Sequence, residues 1–309
     1  VTVATAISTA AAGTITLNNI LTGAATVNNA GNLNIDFINA LTATGALTNT
    51  GTLSITKAYT PTSSAFTTSG TININSGGIF TKPATFTNTG ITKIDGTGTI
   101  NGAYTGGAGS SLIIGPTTST TSYTTTGTIA GVETITVQKG LFTVANAVSG
   151  AINFNISSGA KAVLNAVVTG TGAVTNAGTL TFNTAAALAS FASLTNTGSL
   201  NIAANFTVPA TLTNTGAVYV YSTSATIPTA IAITGTLSGG SVGSLHIGRD
   251  NTLSTNYLAT SFTTTQTITN MPTIHLYAGN FTANNAISGV TNFTIDPDNT
   301  TTSGTTPTS

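Results

Sequence analysis

Acid–base chemistry in this chain would have to come from six carboxylates, Asp36, Asp95, Glu133, Asp250, Asp296 and Asp298, and from two histidines, His246 and His275. Hydrolysis or elimination on a polysaccharide needs at least two such groups clustered around one bond. Here the acids are scattered, and most stand alone in the sequence. Glu133 is not a repeated feature, because the matching position of a second, similar segment holds Pro272. The chain is therefore not expected to be an enzyme. His246, Arg249 and Asp250 fall together in HIGRDN, which reads either as a small polar contact site or as a solvated loop. His275 stands at an outward strand position. Asp296 and Asp298 offer oxygen ligands of the kind calcium takes, or form a plain terminal turn, and no GGxGxD nonapeptide repeat accompanies them. With no cysteine, neither a disulfide nor a thiolate metal site can form. No cofactor and no metal are expected. Asn155, Asn205, Asn280, Asn292 and Asn299 each head an Asn-X-Ser/Thr sequon, an acceptor for glycosylation in a host with that machinery.

Composition narrows the partners. Six basic and six acidic residues in 309 leave no net charge, so the basic face that nucleic acid or an anionic membrane requires is missing. Apolar residues make up 40% of the chain and fall at regular positions, which argues for an ordered body. No apolar run approaches the roughly 20 residues of a membrane-spanning helix. The chain begins at Val1. With a threonine-rich, lysine-poor body, this leads to the expectation of a removed signal peptide and an extracellular or cell-surface setting.

The elements that would position any site are repeats. LTNTGTLSI at residues 47–55 returns as VNNAGNLNI at 27–35, FTTSGTINI at 66–74 and FTNTGITKI at 86–94. It returns again as VTNAGTLTF at 174–182, LTNTGSLNI at 194–202 and LTNTGAVYV at 212–220. Each copy has an apolar residue, a short polar run, a glycine, and then alternation with the period of a strand that buries one face. The glycines Gly31, Gly51, Gly70, Gly90, Gly178, Gly198 and Gly216 mark corners, and a backbone angle that other residues resist is the expected reason for them. Their spacing gives about 18–20 residues per turn, enough for three short strands. The predicted fold is all-β, a parallel β-helix or β-solenoid. Leu53, Ile55, Ile72, Ile74, Ile94, Leu180, Phe182, Leu200 and Ile202 should point inward. Asn49, Asn88, Asn196 and Asn214, with Asn29 and Asn176 nearby, read either as turn asparagines or as a stacked amide ladder. Residues 185–192 (AAALASFA) are expected to be strand or loop rather than helix.

A longer repeat lies above the turns. Residues 122–156 match 261–295 at a constant offset of 139, and 100–115 match 233–248, with a six-residue insertion near 250–256. The chain thus reads as one continuous solenoid over residues 1–298, made of two superunits of about 140 residues, followed by a flexible Thr/Ser/Pro tail at 299–309. Roughly fifteen turns at the spacing of strands would make a rod on the order of 70 Å long. VTVATAIS at residues 1–8 resembles FTVANAVS at 142–149 and FTANNAIS at 281–288, so the chain opens and closes at the same point of the superunit.

These turns resemble those of large secreted β-helix adhesins, of the filamentous-haemagglutinin-like and autotransporter-passenger type. The resemblance implies secretion and an adhesive or scaffolding role at a cell surface. The matching ends favour a self-assembling subunit over a fragment of a giant adhesin. The expected function is a structural subunit of an extracellular filament, formed by head-to-tail stacking of solenoids. Val1, Val3 and Ile7, met by Phe281, Ile287, Phe293 and Ile295 of another copy, are the expected assembly interface. The alternative is an adhesin stalk or passenger segment that binds a surface or glycan. More remote is ice binding on a threonine face. TIT at 14–16 and 134–136 fits that idea, but asparagine, serine, alanine and tyrosine take the same positions elsewhere.

Overall fold

The computed structural model describes residues 6–43, 45–184, 188, 190–207, 209, 211–221, 230–234, 236–248, 260–264 and 267–296. Among these, every regular element is a β-strand and strands pair in parallel, one coil apart. The architecture is a β-solenoid. The chain divides into two compact units, Val1–Ile152 and Asn153–Ser309.

In the first unit, seven strands stack along one face: Thr14–Leu17, Asn32–Ile35, Thr52–Ile55, Thr71–Ile74, Ile91–Ile94, Ser111–Ile114 and Thr134–Val137. Thr14 pairs with Asn32 and Ser111 with Thr134, so one turn takes 18 to 23 residues. A second face carries the strands that precede the corner glycines, from Ile7–Thr9 to Phe86–Asn88. A third begins with Leu21–Ala24 and Leu41–Ala43 and goes on through Ala58–Tyr59, Ile79–Thr81 and Thr99–Asn101. The alternation in sequence becomes alternation in space. On the first face, Ile35, Ile55, Ile74, Ile94, Ile114 and Val137 lie one above another in an inward column and are fully buried. Each such side chain contributes roughly 1.5–3 kcal/mol of burial. β-Branched residues suit the column because their stiff χ1 matches the pleat.

The second unit repeats this plan. Its long faces run from Asn153–Ile156 to Ile287–Ser288 and from Lys161–Leu164 to Asn292–Ile295, seven strands each. Turns are 18 residues where Lys161 pairs with Thr179, and longer where Ala217 pairs with Ser244 and Ser244 with Thr273. The added residues include 222–229 and 249–259, which lie outside the described residues, as does the insertion expected at 250–256. Residues 185–187 and 189 also lie outside them. Leu188 and Phe191 are buried in a turn, and no helix occurs among the described residues. The tail expected at 299–309 is likewise outside.

The corner glycines have a different physical reason from the one expected. None of Gly31, Gly51, Gly70, Gly90, Gly178, Gly198 or Gly216 has a positive φ. Space is what excludes a side chain there. A Cβ on Gly51 would lie 2.2 Å from the carbonyl oxygen of Gly31, and one on Gly70 would lie 2.1 Å from that of Gly51. The same carbonyls accept the first hydrogen bond of the next strand, Thr52 N to Gly31 O at 2.8 Å and Thr71 N to Gly51 O at 2.8 Å. The corner is tight because rungs must stack at strand spacing.

The asparagines form ladders inside the coil. In the first unit Thr9 Oγ1 donates to Asn29 Oδ1, Asn29 Nδ2 donates to Asn49 Oδ1 at 2.6 Å, and Asn49 Nδ2 donates to Thr68 Oγ1 at 3.0 Å. In the second, Asn176 Nδ2 donates to Asn196 Oδ1 and Asn196 Nδ2 to Asn214 Oδ1, both at 2.6 Å. Spare amide hydrogens reach the strand beyond the corner, as Asn29 does to Thr52 O at 2.8 Å and Asn176 to Ser199 O at 2.8 Å. These side chains are buried, where an unpaired amide would be costly. The second ladder stops where Gly239 pairs beside Asn214, and the buried Met271 lies against the Asn214 amide.

Candidate functional site

Three features could act on something outside the chain: the last described rung, the polar outer faces, and the acids. The rung is open on one side. Asn292–Ile295 is the last strand of its sheet and pairs with Thr273–Leu276. Its inward positions repeat the core: Phe293 lies beside Ile274 and Ile295 beside Leu276. Ile274 and Leu276 are buried, whereas Phe293 is 38% and Ile295 53% exposed. Ile287 is half-buried beside the fully buried Ile268. Phe281 stacks on Phe262 with ring centroids 5.5 Å apart and on Phe293 at 6.3 Å. Phe281, Ile287, Phe293 and Ile295 therefore share one rung. At the start of the described chain, Ile7 is half-buried in Ile7–Thr9, which pairs with Val27–Asn29. Val1 and Val3 lie outside the described residues.

The outer face of the first unit carries Thr16, Asn34, Ser54, Asn73, Lys93, Ile113 and Thr136 in one column. Lysine and isoleucine interrupt it, so it is not a regular threonine array. In the second unit the equivalent column brings together residues that sequence spacing kept apart. Tyr219, His246 and His275 pair in register on adjacent strands. The Tyr219 and His246 rings stack at 4.7 Å, and the centroids of His246 and His275 are 6.5 Å apart. Tyr277 stacks on His275 at 3.7 Å, and its hydroxyl lies 3.3 Å from His246 Nδ1. Turns of unequal length hide this register in the sequence, and the only signal available was that both histidines follow a Ser/Thr-apolar pair at a strand start. Arg249 and Asp250 of the HIGRDN stretch lie outside the described residues.

Asp36, Asp95 and Glu133 each serve a local backbone or hydroxyl, and Asp296, whose N–H donates to Leu276 O at 2.9 Å, follows the last described strand. Asp36 Oδ1 accepts from Thr56 Oγ1 at 2.7 Å, and Glu133 Oε2 from Gly109 N. Asp95 gathers the 115–121 loop: Gly96 N, Thr118 N, and the hydroxyls of Thr117, Thr118 and Thr121 all donate to its carboxylate. Partial burial pushes the Asp95 carboxyl up, but the hydrogen bonds from Thr118, Thr121 and Gly96 outweigh it and hold the pKa below its ordinary value. Among the described residues no three His, Cys, Asp or Glu side chains group as a metal site. Of the sequons, Asn205, Asn280 and Asn292 are exposed, Asn155 is half-buried and accepts from Thr175 Oγ1 at 2.7 Å, and Asn299 is outside the described residues. Among the described residues, no helix is long and apolar enough to cross a membrane.

No family model, curated protein or solved structure matches the chain.

Proposed function

We propose that this chain is a structural subunit of an extracellular, self-assembling filament in which β-solenoids stack head to tail. The observation that carries the reading is the exposed inner side of the last described rung, Phe293 and Ile295, above the buried Ile274 and Leu276. Exposed strand edges are ordinarily blunted by lysine, proline or a bulge. Neither Asn292–Ile295 nor the edge strand Thr14–Leu17 carries a charge or a proline. Thr14–Leu17 has the complementary pattern, with Ile15 half-buried and Leu17 inward. Stacking one strand on the other repeats the parallel register used within each unit. Such a contact joins unlike surfaces and does not close, so it propagates. The partners are other copies of the chain, with Ile7–Thr9, which pairs on one side with Val27–Asn29 and ends its sheet, meeting the neighbour's last rung on the other. The secreted, cell-surface setting is supported by the repeat style and the near-absence of charge.

Sedimentation velocity over a concentration series tests this. Wild type should grow into large species as concentration rises, and Ile295→Lys should stop that growth while leaving circular dichroism unchanged. A wild-type monomer at every concentration contradicts it. A second reading, an adhesin stalk or passenger segment that binds a surface or glycan, is favoured by the Tyr219–His246–His275 column on the outer face. Binding of the intact chain to a panel of glycans that is lost in Tyr219→Ser would support that reading.

A further inference from the structure

We propose that Asn280 and Asn292 are sites of N-glycosylation on the folded coil, each taking an oligosaccharide on its side-chain amide. Both open the same tripeptide, Asn-Phe-Thr, at residues 280–282 and 292–294. Folding turns that tripeptide into an acceptor surface. Gly279–Ala283 and Asn292–Ile295 are strands, so each phenylalanine goes inward. The asparagine and threonine then stand together on the outer side, about 7 Å apart along the strand. Phe281 is buried and Phe293 lies beside the buried Ile274, whereas Asn280, Thr282, Asn292 and Thr294 are exposed.

Three further observations select these two amides among the sequons. Neither the Asn280 nor the Asn292 side chain is held by a hydrogen bond within the chain. Asn155, by contrast, is half-buried and accepts from Thr175 Oγ1 at 2.7 Å, and Asn205 is engaged within the chain. Each of the two strands also ends its sheet. Gly279–Ala283 pairs with Thr260–Thr264, and Asn292–Ile295 with Thr273–Leu276, with no described strand on the other side. A transferase must draw the sequon out of its strand, and a strand held on one side opens at lower cost than one held on both. The residues beside the two asparagines, Ser261 and Thr273, are small and leave room for the first sugar ring. The donor is an oligosaccharide carried on a lipid pyrophosphate. The amide Nδ2 attacks the anomeric carbon, and the N–C bond forms as the C–O bond to pyrophosphate breaks. The amide loses one proton, and the lipid pyrophosphate leaves with the bonding pair. The threonine hydroxyl completes the sequon that the transferase reads. Six acidic and six basic residues leave the surface almost uncharged, and the glycans supply hydration that charge does not.

The test uses dilute, folded full chain made in a host without N-glycosylation. It is incubated with an oligosaccharyltransferase and its lipid-linked oligosaccharide, and the glycopeptides are mapped by mass spectrometry. A denatured sample of the same chain reports the activity of the enzyme on the same sequons. The expected result is transfer to Asn280 and Asn292 of the folded chain, with Asn155 modified more slowly than either. Thr282→Val should abolish transfer at Asn280 alone, and Thr294→Val at Asn292 alone. Valine keeps the β-branched shape, so circular dichroism of both variants should match wild type. No transfer to folded wild type when the denatured chain is modified overturns the proposal. So does transfer that persists in the threonine variants, or Asn155 modified as fast as Asn280 and Asn292.

Discussion

Asn196 is held from both sides: it accepts from Asn176 Nδ2 and donates to Asn214 Oδ1, each at 2.6 Å. Replacing it with leucine leaves one buried donor and one buried acceptor without partners, at a cost of about 2–3 kcal/mol. Asn176 stands at the foot of the ladder beside Ile156, and its own Oδ1 has no hydrogen-bond partner. Asn176→Leu should therefore cost less than Asn196→Leu, which hydrogen exchange in the second unit would rank. The glycines separate in the same way. Gly51→Ala drives a Cβ to 2.2 Å from Gly31 O and should cost about 3 kcal/mol or more. Gly159 has φ +77° and no atom within 4 Å of a Cβ, so Gly159→Ala meets only backbone strain of about 1–2 kcal/mol. Equal effects on thermal stability would contradict the steric reading of the corner. Asp95 gives a pH prediction. Its folded pKa is lowered from 3.8, so its contribution is present above that value and is lost as pH falls through the folded one. Asp95→Asn should lower the thermal midpoint near neutral pH, and the difference from wild type should shrink in acid. A difference independent of pH would show that the carboxylate charge does not hold the 115–121 loop.

At the scale of the strand, much was legible. Alternation after each glycine identified Thr52–Ile55, Thr71–Ile74, Thr179–Phe182 and Ser199–Ile202, and the inward residues named from it are all buried. Period-two patterning suffices because each strand buries one face. What alternation could not show is which residue lies beside which. Thr92 occupies a column otherwise filled by Leu53, Ile72 and Leu112, and it is fully buried. Its hydroxyl and that of Tyr104 share a hydrogen bond at 2.5 Å, and Asn88 Nδ2 donates to the same phenol at 2.6 Å. That triad joins residues 12 and 16 positions apart across a corner, a contact with no sequence period. Thr92→Val should therefore destabilise the coil despite its greater hydrophobicity, by about 1–2 kcal/mol, because the phenol loses a buried partner. A more stable Thr92→Val would contradict this. The His246–His275 pair escaped the sequence for a related reason. The turn from Ala217 to Ser244 and the turn from Ser244 to Thr273 are longer than the 18–20 residues the repeat predicts, so the register could not be counted forward.

At the scale of the molecule, the repeats make the interior of each unit interchangeable and leave the informative chemistry at its edges. Inward apolar side chains of the interior rungs are covered by like neighbours, whereas at the edges Ile7, Ile15 and Ile287 are half-buried and Phe293 and Ile295 are exposed. Removing residues 1–8 should weaken assembly if the opening strand meets a neighbour's last rung, and unchanged polymerisation would count against that strand. The most direct test is negative-stain electron microscopy of the purified chain at high concentration. Long unbranched filaments with a repeat near one subunit length, absent in Ile295→Lys, are the predicted result. A field of separate, unassembled particles for wild type would contradict head-to-tail stacking.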